Sequence, residues 1–356
     1  MKNSILTLFS AILLTSLCLS TADACTRALY HGSENTIITG RSMDWNDFND
    51  PNIWVFPRGI KRSSQAGSNS AEWVSKYGSV VTSMYELASV DGMNEKGLVM
   101  NLLYLAESDY GKPSSENPSI SISLWGQYAL DNFATAAEAV DALQAKPFFI
   151  QSFNLPNGRP ATAHLSLSDS SGDSAIFEYI DGKQVIHHGP QYSVMTNSPI
   201  YSKQLALNEY WQSIGGTVFL PGTSRAADRF ARTQFFIDVI PKKSNKNIIK
   251  SVPGQTYLNQ AIASVLSVIR AVSVPIGINT PNEPNIATTL WRTISDQKNR
   301  VYYFDSATTP NVFWISFDKL NFKEGAPILK LAMDNGQIYA GEVSKELKAA
   351  KPLNFK

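Results

Sequence analysis

The chain has 356 residues, of which 31 are basic and 30 acidic, with 43% hydrophobic and 11% aromatic residues. With charge balanced and no basic run longer than Lys242-Lys243, it lacks the concentrated positive face that phosphate backbones require, so nucleic acid is not an expected partner. Two cysteines, Cys18 and Cys25, are too few for a disulfide framework, so stability must come from a hydrophobic core, for which the length suffices.

Met1 and Lys2 give a short positive end, residues 5–19 are almost continuously apolar, and Ala22-Asp23-Ala24 fits the small-x-small pattern of a signal peptidase site. The run falls short of the roughly 20 apolar residues of a bilayer span. Residues 1–24 are therefore expected to be a cleaved signal peptide, with residues 25–356 forming a single periplasmic or secreted domain that has no membrane contact after processing. Cleavage removes Cys18 and makes Cys25 the first residue, with a thiol nucleophile and a free α-amine on one residue. A cysteine after a signal sequence is also the anchor of lipoproteins, and the acidic Asp23 fits that pattern poorly. A non-catalytic, lipid-anchored binding protein is the alternative from another class.

Strands are suggested at residues 36–39, 79–85, 98–105, 163–167, 174–179, 301–304 and 312–317 by β-branched and aromatic content. Helices are suggested at 122–130, 136–143, 226–239 and 258–272 by apolar recurrence at three- and four-residue spacing. Thr135 followed by Glu138 reads as a capping box for the second helix. Polar stretches at 63–70 and 242–247 are loops, and no linker or internal repeat divides the chain. Helical groups among many hairpin-like strands, without parallel βαβ alternation, predict an α+β layered domain.

The chain shows no glycine-rich phosphate loop, nucleophile-elbow serine or metal-ligand signature. No metal and no cofactor is expected, and His31, His164, His187 and His188 read as structural or solvent-facing. One constellation surrounds Cys25. Gly40-Arg41-Ser42-Met43-Asp44-Trp45 follows the strand predicted at 36–39, and a hairpin with Cys25 and its neighbours would return Arg41 and Asp44 to the mature N-terminus. An arginine near a thiol favours the thiolate, and a carboxylate can orient the α-amine. An amine titrating near 7.7–8.0 can exchange a proton with a thiol near 8.5 without a histidine. Taken alone, Arg41 and Asp44 read equally as a structural ion pair.

Cys25 at a processed N-terminus, Gly40-Arg41-x-x-Asp44-Trp45, the run Asp91-Gly92-Met93-Asn94-Glu95-Lys96-Gly97-Leu98, Thr196-Asn197-Ser198-Pro199, Leu220-Pro221-Gly222 and Asp228-Arg229-Phe230 stand in the order seen in the choloylglycine hydrolase family. That family comprises bile salt hydrolases and penicillin V acylases among the N-terminal-nucleophile hydrolases, and the resemblance runs from Cys25 to near Phe317. It implies a four-layer αββα sandwich and hydrolysis of a linear amide in a small-molecule N-acyl substrate. It also implies a homotetramer, since members often are. Cys25 resembles the nucleophile, Arg41 and Asp44 the charged pair beside it, Asn197 an oxyanion-stabilising asparagine and Arg229 a second active-site arginine. By themselves, Asn197 reads as a turn residue before Ser-Pro, and Arg229 as part of a solvated helix face with Arg225 and Arg232. Asn94 keeps its structural reading in a hairpin connector.

Tyr104 falls where bile salt hydrolases carry asparagine and penicillin V acylases carry tyrosine, so the chain resembles the exported Gram-negative penicillin V acylase branch. That branch is associated with penicillin V and with N-acyl-homoserine lactones, the signals of quorum sensing. A conjugated bile salt hydrolase is the alternative within the family. The oxyanion hole would use Asn197 and the backbone N–H of Tyr104; as a bare residue, Tyr104 reads as a buried strand aromatic. Met43, Trp45, Tyr104 and the loop 46–60 are the candidate substrate-binding walls.

Overall fold

The computed structural model describes residues 25–67, 69–278, 287–333 and 336–356; the expected signal peptide and Cys18 lie outside the described residues. The hairpin expected around Cys25 is present. Strand Thr26–His31 pairs antiparallel with Ile37–Trp45, with Thr26 opposite Ser42 and Arg27 opposite Arg41. It belongs to a seven-stranded sheet whose order is Val194–Met195, Thr26–His31, Ile37–Trp45, Thr288–Asp296, Val301–Ser306, Val312–Ser316 and Gly341–Glu342. A nine-stranded antiparallel sheet faces it, in the order Lys183–His188, Ser174–Ile180, Ala163–Ser168, Val99–Tyr104, Ala88–Asn94, Ser79–Met84, Ile53–Phe56, Leu329–Leu331 and Lys348–Ala349.

Among the described residues, five α-helices cover the outer faces: α1 (Ile122–Asn132), α2 (Ala136–Ala145), α3 (Tyr201–Ile214), α4 (Ala226–Val239) and α5 (Tyr257–Ala271). Helices α1 and α2 lie on the nine-stranded sheet, α4 and α5 on the seven-stranded sheet, and α3 rests against α4. The architecture is the α+β four-layer αββα sandwich.

Strand Ile37–Trp45 is buried at all nine positions because it is covered twice, by α5 on one face and by the second sheet on the other. On the outer face the backbone of Gly40 approaches α5 so closely that a Cβ there would lie 2.7 Å from Ile269 Cγ1. On the inner face Thr39 Oγ1 meets Ser168 Oγ of the other sheet at 2.8 Å. The apolar stripe of α5, with Ala261, Val265, Val268 and Ile269 buried, closes this side of the core.

The helices predicted from apolar spacing are observed within a few residues of their expected ends. Thr135 caps α2 as expected, accepting from Glu138 N, but the Glu138 carboxylate accepts from Ala134 N at 2.7 Å, one residue before the cap. Helix α3 escaped the sequence reading because it buries Tyr201, Gln204 and Asn208, two of them polar, and so carries little apolar periodicity. Strand Ala88–Asn94 was hidden by polar and glycine content. Gly92 is required there, since a Cβ would stand 2.6 Å from Val80 O. Asn94 closes that strand's connector: its Oδ1 accepts from Lys96 N and Leu98 N, and its Nδ2 donates to Leu130 O and Phe133 O.

Candidate active site

Alternation along Ile37–Trp45 decides what Cys25 meets. Successive side chains point to opposite faces, so Thr39, Arg41 and Met43 face the second sheet, while Gly40, Ser42 and Asp44 face the helical side. Cys25 precedes the first paired residue, Thr26, and is 2% exposed. Its Sγ lies 3.8 Å from Met43 Sδ, 3.7 Å from the Asp44 carbonyl oxygen and 3.8 Å from Arg41 Nη2.

Arg41 is fully buried between the sheets. Its Nε donates to Ser42 O at 3.0 Å, its Nη2 to Leu102 O at 3.4 Å, and the guanidinium stacks 4.5 Å over the Trp291 ring. Its Nη1 lies 3.6 Å from Asp91 Oδ2. Asp91 is itself fixed by Asn101 Nδ2 at 2.7 Å and by the Tyr302 hydroxyl from the opposite sheet. In sequence Asp91 is only the first residue of a motif; its contact with Arg41 crosses between sheets and leaves no local spacing to find.

The expectation that Arg41 favours the thiolate holds in sign but not in outcome. Burial pushes the Cys25 thiol up and Asp44 adds to it, while Arg41 and the hydrogen-bond contacts only partly oppose them. A base is therefore needed to draw off the proton. Asp44 is lifted to about 6 by burial, against the pull of Arg229, the Thr289 hydroxyl, Arg41 and Arg292. Its carboxylate accepts from Thr289 Oγ1 and from Ser42 Oγ.

Arg229 is buried completely, contrary to a solvated-face reading. From α4 its Nη1 donates to Cys25 O at 2.6 Å and to Thr26 Oγ1, and its Nη2 donates to Asn197 Oδ1 at 3.0 Å. Asn197 Nδ2 donates in turn to Tyr104 O at 2.7 Å. The neighbouring Leu105 N bonds to Thr162 O at 3.3 Å, so by strand alternation the Tyr104 carbonyl and N–H both face the other way, toward Asn197. Thus Cys25, Arg41, Asp44, Tyr104, Asn197 and Arg229, drawn from five separate stretches of chain, meet at one place.

Two supports of Asn197 were not singled out from sequence. Gln204 Nε2 donates to Asn197 O at 3.0 Å, and the His164 ring, paired through Nδ1 with Glu178 at 3.1 Å, holds Thr196 O at 2.7 Å through Nε2. His31 bonds Gly172 O, His187 packs its ring at a tilt against Tyr201 and His188 pairs with Asp173, so the histidines hold structural places. Among the described residues, no cluster of three or more His, Cys, Asp or Glu is placed to hold a metal.

The family model for linear amide C–N hydrolases of the choloylglycine hydrolase family matches residues 25–330. The chain belongs to the choloylglycine hydrolase family. It is 48% identical over 351 residues to a penicillin V acylase of Pectobacterium atrosepticum, covering 93% of this chain and 92% of that protein. Among solved structures, the penicillin V acylase of Agrobacterium tumefaciens superposes with a TM-score of 0.84 at 52% identity, over 93% of this chain and 99% of the other. A variant of the conjugated bile acid hydrolase of Clostridium perfringens superposes with a TM-score of 0.71 at 23% identity, over 86% of this chain and 97% of the other, and so shares the fold.

In this choloylglycine-family amide hydrolase, an apolar cavity of about 60 Å³ opens beside the thiol. Met43, Trp45 and Tyr104 line it, and residues 46–60 do not. That stretch turns away into the sheet as strand Ile53–Phe56, and its place is taken by Met84, Ala88, Val90, Phe153, Leu155 and Ile122. Trp45 and Tyr104 meet edge to face at 5.9 Å, with the Arg159 guanidinium 5.1 and 5.0 Å from their centroids.

Proposed function

We propose that this protein is an exported N-terminal cysteine amidohydrolase that cleaves the linear amide of penicillin V and of N-acyl-homoserine lactones. The observation that carries the reading is Arg229, whose one guanidinium holds both the Cys25 carbonyl and Asn197 Oδ1. It fixes a nucleophile and an amide donor at one spacing, as acyl transfer requires. The start of the family match at Cys25 and the signal-like character of residues 1–24 support processing before Cys25 and a periplasmic location.

Cleavage would create the base together with the nucleophile. The free α-amine takes the thiol proton, and the thiolate attacks the amide carbonyl. The oxyanion is held by Asn197 Nδ2 and the Tyr104 N–H, the C–N bond breaks, and the leaving amine takes the proton from the α-ammonium. Water, deprotonated by the same amine, then resolves the thioester and frees the acid. Asp44 and Arg41 act on the two charges of this cycle, the ammonium and the thiolate.

The acyl group would lie in the apolar cavity beside Cys25, among Met43, Trp45, Tyr104 and Phe153. The 48% and 52% identity to two penicillin V acylases, against 23% to a conjugated bile acid hydrolase, favours penicillin V over conjugated bile salts. The test is amine release from penicillin V, a long-chain acyl-homoserine lactone and a glycine-conjugated bile salt, using wild type and Cys25→Ser with the N-terminal mass determined. Hydrolysis of the first two, lost in Cys25→Ser, supports the reading. A processed wild type inactive on all three overturns it, and a blocked or diacylated Cys25 points to the lipid-anchored alternative.

A further inference from the structure

Ala88 and Ser123 bring two small side chains to the cavity wall. What lies behind them is the last segment of the chain. The Lys356 carbonyl accepts hydrogen bonds from both the Ser121 and Ser123 hydroxyls, and Lys356 N donates to the carbonyl of Leu87, the neighbour of Ala88, at 3.2 Å. The Lys356 ammonium lies 5.1 Å from the centroid of Phe153, a third wall residue. The segment is pinned by Leu353, which is buried, and by Phe355, whose ring is 6.2 Å from Phe56 and is covered by Arg62 at 5.2 Å. Before it, Lys348–Ala349 pairs with Leu329–Leu331 and forms the edge of the nine-stranded sheet.

We propose that residues 353–356 form a strap across the outside of the cavity wall and that this strap sets the acyl-chain length the enzyme accepts. The inference rests on the acyl group occupying this cavity. The physical reason is a difference in how the walls are held. Met43, Val90 and Leu102 lie within strands of the two central sheets, where moving them would break ladder hydrogen bonds, whereas Ala88 is the first residue of its strand and Ser123 lies in the first turn of α1. The strap carries no ladder of its own beyond Ala349, and both Asn354 and Lys356 are exposed. A long acyl chain would press on Ala88 and Ser123 and on the strap behind them, whereas an aryl-acetyl group would stop short.

The test compares the full chain, a chain ending at Pro352 and Phe355→Ala, with phenoxyacetyl, hexanoyl and dodecanoyl amides of one amine. In the shortened chain the kcat/KM ratio of dodecanoyl to phenoxyacetyl is expected to rise by about ten-fold or more, the scale on which a pocket discriminates added methylenes. Phe355→Ala shifts it the same way by less. The phenoxyacetyl kcat stays within about two-fold, because nothing in the strap touches Cys25, Arg229 or Asn197. An unchanged ratio in both variants, or an equal loss on all three substrates, overturns the proposal. If the shortened chain does not fold, Phe355→Ala decides alone. Wild type inactive on every amide would instead overturn the parent reading, and the strap with it.

Discussion

Arg41 reaches Asp91 with one guanidinium nitrogen, 3.6 Å from the carboxylate, while the other nitrogen lies 3.8 Å from the Cys25 sulfur. The charge available to a thiolate is therefore not that of an isolated arginine. Asp91 compensates part of it, and Asp91 is locked in place by Asn101 and Tyr302. Asp91→Asn keeps the shape and removes the compensating charge, so the Cys25 thiol should deprotonate at lower pH. The rate of thiol alkylation against pH, measured on processed enzyme, checks this; a profile identical to wild type would assign Asp91 a packing role alone.

Asn197→Ala removes the amide that faces the site together with the hydrogen bonds it makes to Arg229 Nη2 and the Tyr104 carbonyl. The expected loss is about 10²–10³ in kcat, with KM nearly unchanged, as for other oxyanion donors. Steady-state kinetics on penicillin V reads both constants. A loss confined to KM would mean that Asn197 binds ground-state substrate.

Arg229→Lys tests whether geometry or charge matters at that position. A lysine keeps the charge but cannot span Cys25 O, Thr26 Oγ1 and Asn197 Oδ1 together. We expect kcat to fall by about ten-fold or more with the fold intact by circular dichroism. Full activity in the lysine variant would show that only the charge is needed.

Asp44 makes the protein pH-sensitive in a definite direction. Burial places its carboxyl at about 6 in the folded chain, above the ordinary value near 3.9. Between those values the unfolded chain ionises first, so the contribution of Asp44 to stability is present below about pH 4 and is lost as pH rises through about 6. Catalysis should run the other way, because only the ionised carboxylate can hold an α-ammonium. The acid limb of kcat/KM is expected at or below about pH 6, since a facing ammonium lowers the carboxyl further. Asp44→Asn should remove that limb along with most of the activity, and a pH–rate profile shows whether it does.

Trp45→Ala enlarges the cavity beside Tyr104 and removes the edge-to-face pair. Its acyl preference should move toward bulkier groups, at a cost of roughly 3 kcal/mol in stability. Competition between phenoxyacetyl and larger acyl amides, with urea unfolding alongside, measures both. Unchanged preference would remove Trp45 from the substrate wall.

Much of the site was legible because its members lie in short motifs with strong local character. Arg41, Met43, Asp44 and Trp45 fall on one strand, and period-two alternation divides them between faces. Asn197 and Arg229 were found only through their motifs, because a turn asparagine and a helical arginine look ordinary until the fold buries them. Asp91 stands in a motif that assigns it no role of its own, and Gln204, His164 and the strap at Lys356 carry no motif signal; each makes its contact with chain far away in sequence.

By itself, the sequence determined the α+β class and the family, and raised a leader and an N-terminal Cys25 as expectations, because hydrophobic period, composition and residue type are local properties. Tertiary structure decided which charges meet the thiol, whether burial or Arg41 governs its proton, that the cavity is walled by Met84, Phe153 and Ile122 in place of residues 46–60, and what stands behind Ala88 and Ser123. These depend on distance and desolvation between segments up to hundreds of residues apart, and both exist only once the two sheets have closed on each other.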